Sequence, residues 1–161
     1  MIPLDNTKFL EYAHELIHTR NVTCVRDELE RLLLLGDCLG NYGSFYNVYG
    51  FMKQGYVIKV IKDDNLPLTY YHNCPLKDSL ASKFFLYPIT KTRREEVILQ
   101  PLADISTRKQ EFAFRTILYK LREKLKEGQL IEDVWPDAHV GNVGVYHKKP
   151  YIIDFSHKYL E

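Results

Sequence analysis

The stretch WPDAHVGNVGVYHKKPYIIDFSH, residues 135–157, sets two aspartates, an asparagine and histidines among apolar residues. Asp137 and Asn142 stand five apart in a turn-like run, and Asp154 closes the apolar run Tyr151, Ile152, Ile153. Segments 143–146 and 151–155, joined by His147-Lys148-Lys149-Pro150, predict a β-hairpin. Asn142 then lies just ahead of the first strand and Asp154 at the end of the second, so the hairpin can bring Asp137, Asn142 and Asp154 together. That arrangement is either a metal or phosphate site or three ordinary turn residues.

Upstream, Phe114, Ile117, Leu118, Leu121 and Leu125 keep helical spacing, with Ser106 or Thr107 as cap and Gly128 as stop. At the other end, Phe9, Tyr12, Ala13, Leu16 and Ile17 follow the same spacing. Asn21 or Thr23 can cap a second helix that stops at Gly36. Between them the texture is β-like: 44–51 and 56–61 read as an antiparallel hairpin with a glycine-rich approach, and 84–88 and 96–102 as further strands joined by the charged turn 91–95. Residues 63–75, with two prolines, two asparagines and two tyrosines, read as loop or short helix. The expectation is one α+β domain, 1–161, made of N-terminal helices (1–35), a sheet lobe (36–103) and a helix with a hairpin (104–161).

A length of 161 residues suffices for one hydrophobic core. A net charge of +1 gives no whole-chain reason to expect nucleic acid or an anionic membrane as partner. The N-terminus lacks a basic region followed by an apolar run, and no apolar stretch approaches the roughly 18 residues of a membrane span, so a cytoplasmic protein is expected. Cys24, Cys38 and Cys74 are odd in number and widely spaced, which suggests reduced thiols. His139, His147 and His157 match no zinc spacing. Arg93-Arg94 beside Glu95-Glu96 reads as a solvated turn.

A nucleoside-triphosphate site needs backbone N–H groups against the phosphates, a cation for their charge and hard oxygen ligands for Mg²⁺. The chain offers them in order. LGNYGSFYNVY, 39–49, is a glycine-containing turn between β-like segments, and VIKV, 57–60, puts Lys59 inside an otherwise apolar strand. Such a charge must be paired or directed into a cleft. Asn142 and Asp154 supply amide and carboxylate oxygens, and Asp137 can accept a proton from an attacking hydroxyl. Neither a Gly-x-Ser-x-Gly nor a Walker-type Gly-Lys-Ser/Thr motif is present, which removes the hydrolase and P-loop readings.

The order LGNYGSFYNVY, VIKV, DAHVGN, IIDF resembles the protein-kinase-like fold: glycine-rich loop, strand lysine, catalytic-loop aspartate and asparagine, metal-binding aspartate. The spelling D-x-H-x-G-N is nearer to aminoglycoside phosphotransferases and to short bacteriophage serine/threonine protein kinases than to eukaryotic kinases. The resemblance spans about residues 36–157. It implies a small antiparallel N-lobe, a truncated helical C-lobe, and ATP and Mg²⁺ as cofactors. Gly40 and Gly43 would let the loop approach the phosphates, Lys59 would contact the α/β-phosphates, Asp137 would orient or deprotonate the acceptor, and Asn142 with Asp154 would ligate the metal. Adenine would meet a hinge at Gln100-Pro101-Leu102-Ala103, contacted through Gln100 and Leu102, and His139 would brace the catalytic loop. Tyr42, Phe45, Tyr46 and Tyr49 serve either the core or a cover over nucleotide or partner.

The chain also departs from the family's pattern. The loop has an extra residue between Gly40 and Gly43, and Tyr46 stands where a third glycine is usual. Pro136 precedes the catalytic aspartate where many kinases have arginine, and Ser156 replaces the glycine after Asp-Phe. No clear helix carries a glutamate for Lys59, Asp78 being the nearest acidic candidate. Seven residues follow Asp154, so the sequence includes neither an activation segment nor most of the helical lobe. Three functions follow from the resemblance. The first is a phage-type protein kinase acting on a host protein in the host cytoplasm. The second is an inactive pseudokinase that inhibits or scaffolds such a protein, and the third is a small-molecule phosphotransferase.

Overall fold

Asn21, not Thr23, caps the second helix: its Oδ1 accepts the Cys24 N–H at 2.8 Å. In the computed structural model, which describes residues 2–42 (Tyr42 as backbone), 46–62, 80–136 and 138–153, α1 spans Asn6–Thr19 and α2 spans Val22–Leu34. Asp5 caps α1 by accepting the Lys8 N–H at 3.0 Å. Helix α2 closes as expected at Gly36, whose N–H donates to Leu33 O while that of Asp37 donates to Leu32 O. This pair of bonds satisfies carbonyls that the helix end would otherwise orphan.

Five strands follow, β1 (Leu39–Tyr42), β2 (Tyr46–Phe51), β3 (Tyr56–Ile61), β4 (Thr90–Lys91) and β5 (Val97–Pro101), in the antiparallel order β1-β2-β3-β5-β4. Directly paired residues share a face and the faces alternate along each strand. One face therefore carries Tyr49, Phe51, Ile58, Val60, Val97 and Leu99, which join Phe9, Ala13, Ile17, Val25, Leu29 and Leu32 of the two helices in one core. Arg26 fastens α2 to the end of β3 by donating to Ile61 O at 2.7 Å.

Two compact units result: Met1–Leu66 with Pro88–Leu102, and Pro67–Tyr87 with Ala103–Glu161. In the second, helix α3 (Thr107–Lys124) buries Ala113, Ile117 and Leu121 against Phe85, Trp135, Val143, Val145 and Ile152. Strands β6 (Val143–Tyr146) and β7 (Lys149–Ile152) form the hairpin, preceded by the one-turn helix α4 (Ile131–Val134) and a 3-10 turn at Val140–Asn142. The architecture is α+β.

Several elements differ from the expectation. The glycine-rich approach is itself a strand, because Leu39–Tyr42 pairs with β2. Residues 84–88 are not a strand: a 3-10 turn, Leu80–Phe84, leads to a single bridge between Phe85 and Ile152. Helix α3 ends at Lys124, since Leu125 turns extended (ψ 139°) and residues 126–129 close a separate turn through Gln129 N–H and Lys126 O. Hairpin β6–β7 turns on two residues, His147 and Lys148, and Lys149-Pro150 already belongs to β7. The loop expected at 63–75, together with Cys74 and Asp78, lies outside the described residues.

Candidate functional site

Strand β3 is built from β-branched and aromatic residues, which suit a pleated surface covered on both sides. Lys59 sits in its middle, with Val48 of β2 on one side and Ile98 of β5 on the other, and is only 9% exposed. It belongs to the face away from the α1–α2 core. Gln100, paired with Val57 and 2% exposed, stands two positions along on that same face. The sheet thus places a buried cation and a buried amide two positions apart on the face opposite the one that α1 and α2 cover. Leu102 follows β5, and its N–H donates to Gly55 O at 3.0 Å, tying the end of β5 to the β2–β3 turn.

Gly40 is placed differently. It pairs with Tyr49 and so belongs to the helix-covered face; a Cβ there would lie 3.0 Å from Leu33 Cδ2. Its lack of a side chain lets α2 approach β1. Tyr49 points the same way, fully buried, its hydroxyl donating to Glu30 Oε1 at 2.6 Å, so it serves the core and does not cover a nucleotide. Tyr46, on the Lys59 face, donates its hydroxyl to Glu95 O at 2.6 Å.

In the second unit, Asn142 ends the 3-10 turn and is 3% exposed. Its N–H donates to His139 O at 3.0 Å, and its carbonyl accepts from Ile153 N–H at 2.8 Å. That second bond, next to the Val143–Ile152 pair, brings the residue before Asp154 against Asn142. The His139 imidazole accepts the Gly141 N–H at 3.0 Å, the brace expected of it. Gly43, Asp137, Asp154, His157 and Phe45 lie outside the described residues.

The sequence concealed two features. Glu95, read there as part of a solvated turn, is 1% exposed with a left-handed backbone (φ 57°), while Arg93 and Arg94 are exposed. Trp135 is fully buried, and its Nε1 meets no acceptor among the described residues. A groove on α1 and α2, of about 420 Å³, is lined by Tyr12, Glu28 and Arg31 among others and shares no residue with the expected site. There Arg31 holds the Glu28 carboxyl below its ordinary value, and burial, followed by Glu28 itself, pushes the Tyr12 phenol up. Cys38 is a buried free thiol pushed up to about 11 by burial, whereas Cys24 is exposed.

Among the described residues, no cluster of three or more His, Cys, Asp or Glu side chains could hold a metal, and no helix is long and apolar enough to cross a membrane. Asn142 offers one oxygen of the hard kind that Mg²⁺ takes. Comparison with protein-family models, with curated proteins and with solved structures finds no match.

Proposed function

We propose that the chain is an ATP- and Mg²⁺-dependent phosphotransferase of the protein-kinase-like fold, acting on a serine or threonine hydroxyl of a protein, as the short phage kinases do. The observation that carries the reading is the position of Lys59. A lysine at the centre of an inner strand, 9% exposed and outside the helix-packed core, contributes nothing to that core and costs desolvation. A buried strand lysine is the kind of cation that binds the phosphates of a nucleotide. Gln100 on the same face, at the start of the segment read as the adenine hinge, supports the same assignment.

In this reading Lys59 holds the α/β-phosphates, and the acceptor hydroxyl attacks the γ-phosphorus. Its proton passes to the Asp137 carboxylate as the bond to the ADP oxygen breaks. Asn142 and Asp154 would hold Mg²⁺, which supplies neutralisation of the phosphate charge. The Asn142–Ile153 bond supports that pairing, because it keeps position 154 one residue from the asparagine's partner. Gly40, in β1, faces Leu33 of α2, so in this reading the phosphates are approached by the loop beyond it. Catalysis is then mainly positioning and electrostatics.

The test is thermal stability with and without ATP plus Mg²⁺, in wild type and Lys59→Met. A ligand that binds only the folded state stabilises it by about 2.7 kcal/mol at a hundred times its dissociation constant. A shift confined to wild type is expected, together with phosphate incorporation that Asp137→Ala abolishes without unfolding the protein. No shift in either protein overturns the nucleotide site. A shift in wild type without any phosphate incorporation leaves a nucleotide-binding pseudokinase.

A further inference from the structure

Helix α3 carries on its outward side a pattern that packing does not require. Arg108, Phe112, Arg115, Tyr119 and Arg122 recur at alternating steps of four and three, so they form one stripe along the helix. All five are exposed, Phe112 to 51% and Tyr119 to 65%, while Ala113, Ile117 and Leu121 bury the opposite side. The three arginines stand seven apart, about 10.5 Å along the axis, with an aromatic ring in each gap. Single exposed apolar residues are ordinary. Two rings in register with three arginines put together the residue types most enriched at protein interfaces.

Charge says what would cover the stripe. Six of the 22 basic residues and two of the 21 acidic ones lie on α3, so this helix stands at +4 while the rest of the chain stands at −3. The positive excess of the molecule is therefore local. Guanidinium groups recognise carboxylates through paired N–H donors, and rings between them need apolar side chains opposite. The two acidic residues, Glu111 and Glu123, border the stripe on either side, where they would repel a phosphate backbone but can pair with lysines flanking an acidic seam.

We propose that the outward face of α3 is a docking surface for an acidic amphipathic helix of a partner protein, one that presents carboxylates every seven residues with apolar side chains between them. The proposal does not depend on the nucleotide reading, since none of the five residues belongs to the candidate site. The probe is a fluorescent peptide of about three heptads with glutamate and leucine in that repeat, measured by anisotropy against the full chain. A peptide of the same composition with the repeat scrambled and an oligothymidylate are the comparisons. The repeat peptide is expected to bind at least about tenfold more tightly than either. Arg115→Glu and, separately, Tyr119→Ala should each weaken it about tenfold with the melting temperature unchanged. Arg108→Glu serves in place of Arg115→Glu should that variant melt early. Equal binding of the two peptides, preference for the oligonucleotide, or no binding at all overturns the proposal.

Discussion

The two hairpins meet the same geometric demand with different residues. The β2–β3 connection closes through Gly55 N–H and Phe51 O at 2.8 Å, with a glycine in the left-handed conformation (φ 85°). The β6–β7 connection puts His147 (φ 48°) and Lys148 (φ 68°) there, residues that pay a steric penalty for it. Local chemistry agrees with the fold in the first hairpin and opposes it in the second. The second is therefore held by its surroundings: Asp104 bonds Val145 through both backbone groups, Leu86 N–H donates to Ile152 O, and Gln110 donates to Val143 O.

The largest expected effect breaks those surroundings. Ile152 is fully buried in the core that also contains Trp135, the chain's one tryptophan. Ile152→Ala should cost about 2–5 kcal/mol in denaturant unfolding, with indole emission reporting the transition. A cost below about 1 kcal/mol would mean that β7 is not held by this core, and the comparison between the hairpins would fail. Next is Gly144→Ala. The added Cβ would lie 3.0 Å from Ala103 Cβ and 3.1 Å from Asp104 O, atoms of backbone and short side chain that cannot swing away. A loss of about 1–3 kcal/mol is expected.

The turns themselves should answer with opposite signs. Gly55→Ala places a Cβ in the left-handed region and should lower stability by about 1 kcal/mol, whereas Lys148→Gly removes one and should raise it by about the same amount. Equal signs would show that the Lys148 conformation is not strained. His147 is the poorer choice for this experiment, because its ring stacks on Tyr146 with centroids 4.1 Å apart and that contact offsets part of the strain.

These contrasts also mark where sequence reasoning succeeds. The two N-terminal helices and β3 were legible because cap, period and propensity agree there: Asn21 caps, Phe9, Ala13 and Ile17 face inward, and Tyr56–Ile61 is rich in valine and isoleucine. Strand β1 was not, since Gly40 and Asn41 have little strand propensity and pair only because β2 supplies the edge. Apolar residues 84–86 read as a strand because a short buried run has no period to distinguish it. Buried Glu95 was hidden by its charged neighbours. Of the candidate site, the chemistry of Lys59 and Asn142 was visible, but which face each residue occupies depends on register, and no local pattern encodes that.

Gly40 gives the smallest and most discriminating effect. Its near neighbour is the Cδ2 end of Leu33, a side chain that can rotate, so Gly40→Ala should cost less than Gly144→Ala, by our estimate under about 1 kcal/mol. The same variant separates two reasons for a glycine at this position. If the residue only admits Leu33 to the sheet, Gly40→Ala lowers stability slightly and leaves the stabilisation by ATP and Mg²⁺ unchanged. Should the ATP effect fall along with it, backbone at residue 40 must approach the phosphates although its Cα faces the helices. Strand β1 would then have to twist away from the plane of β2 and β3.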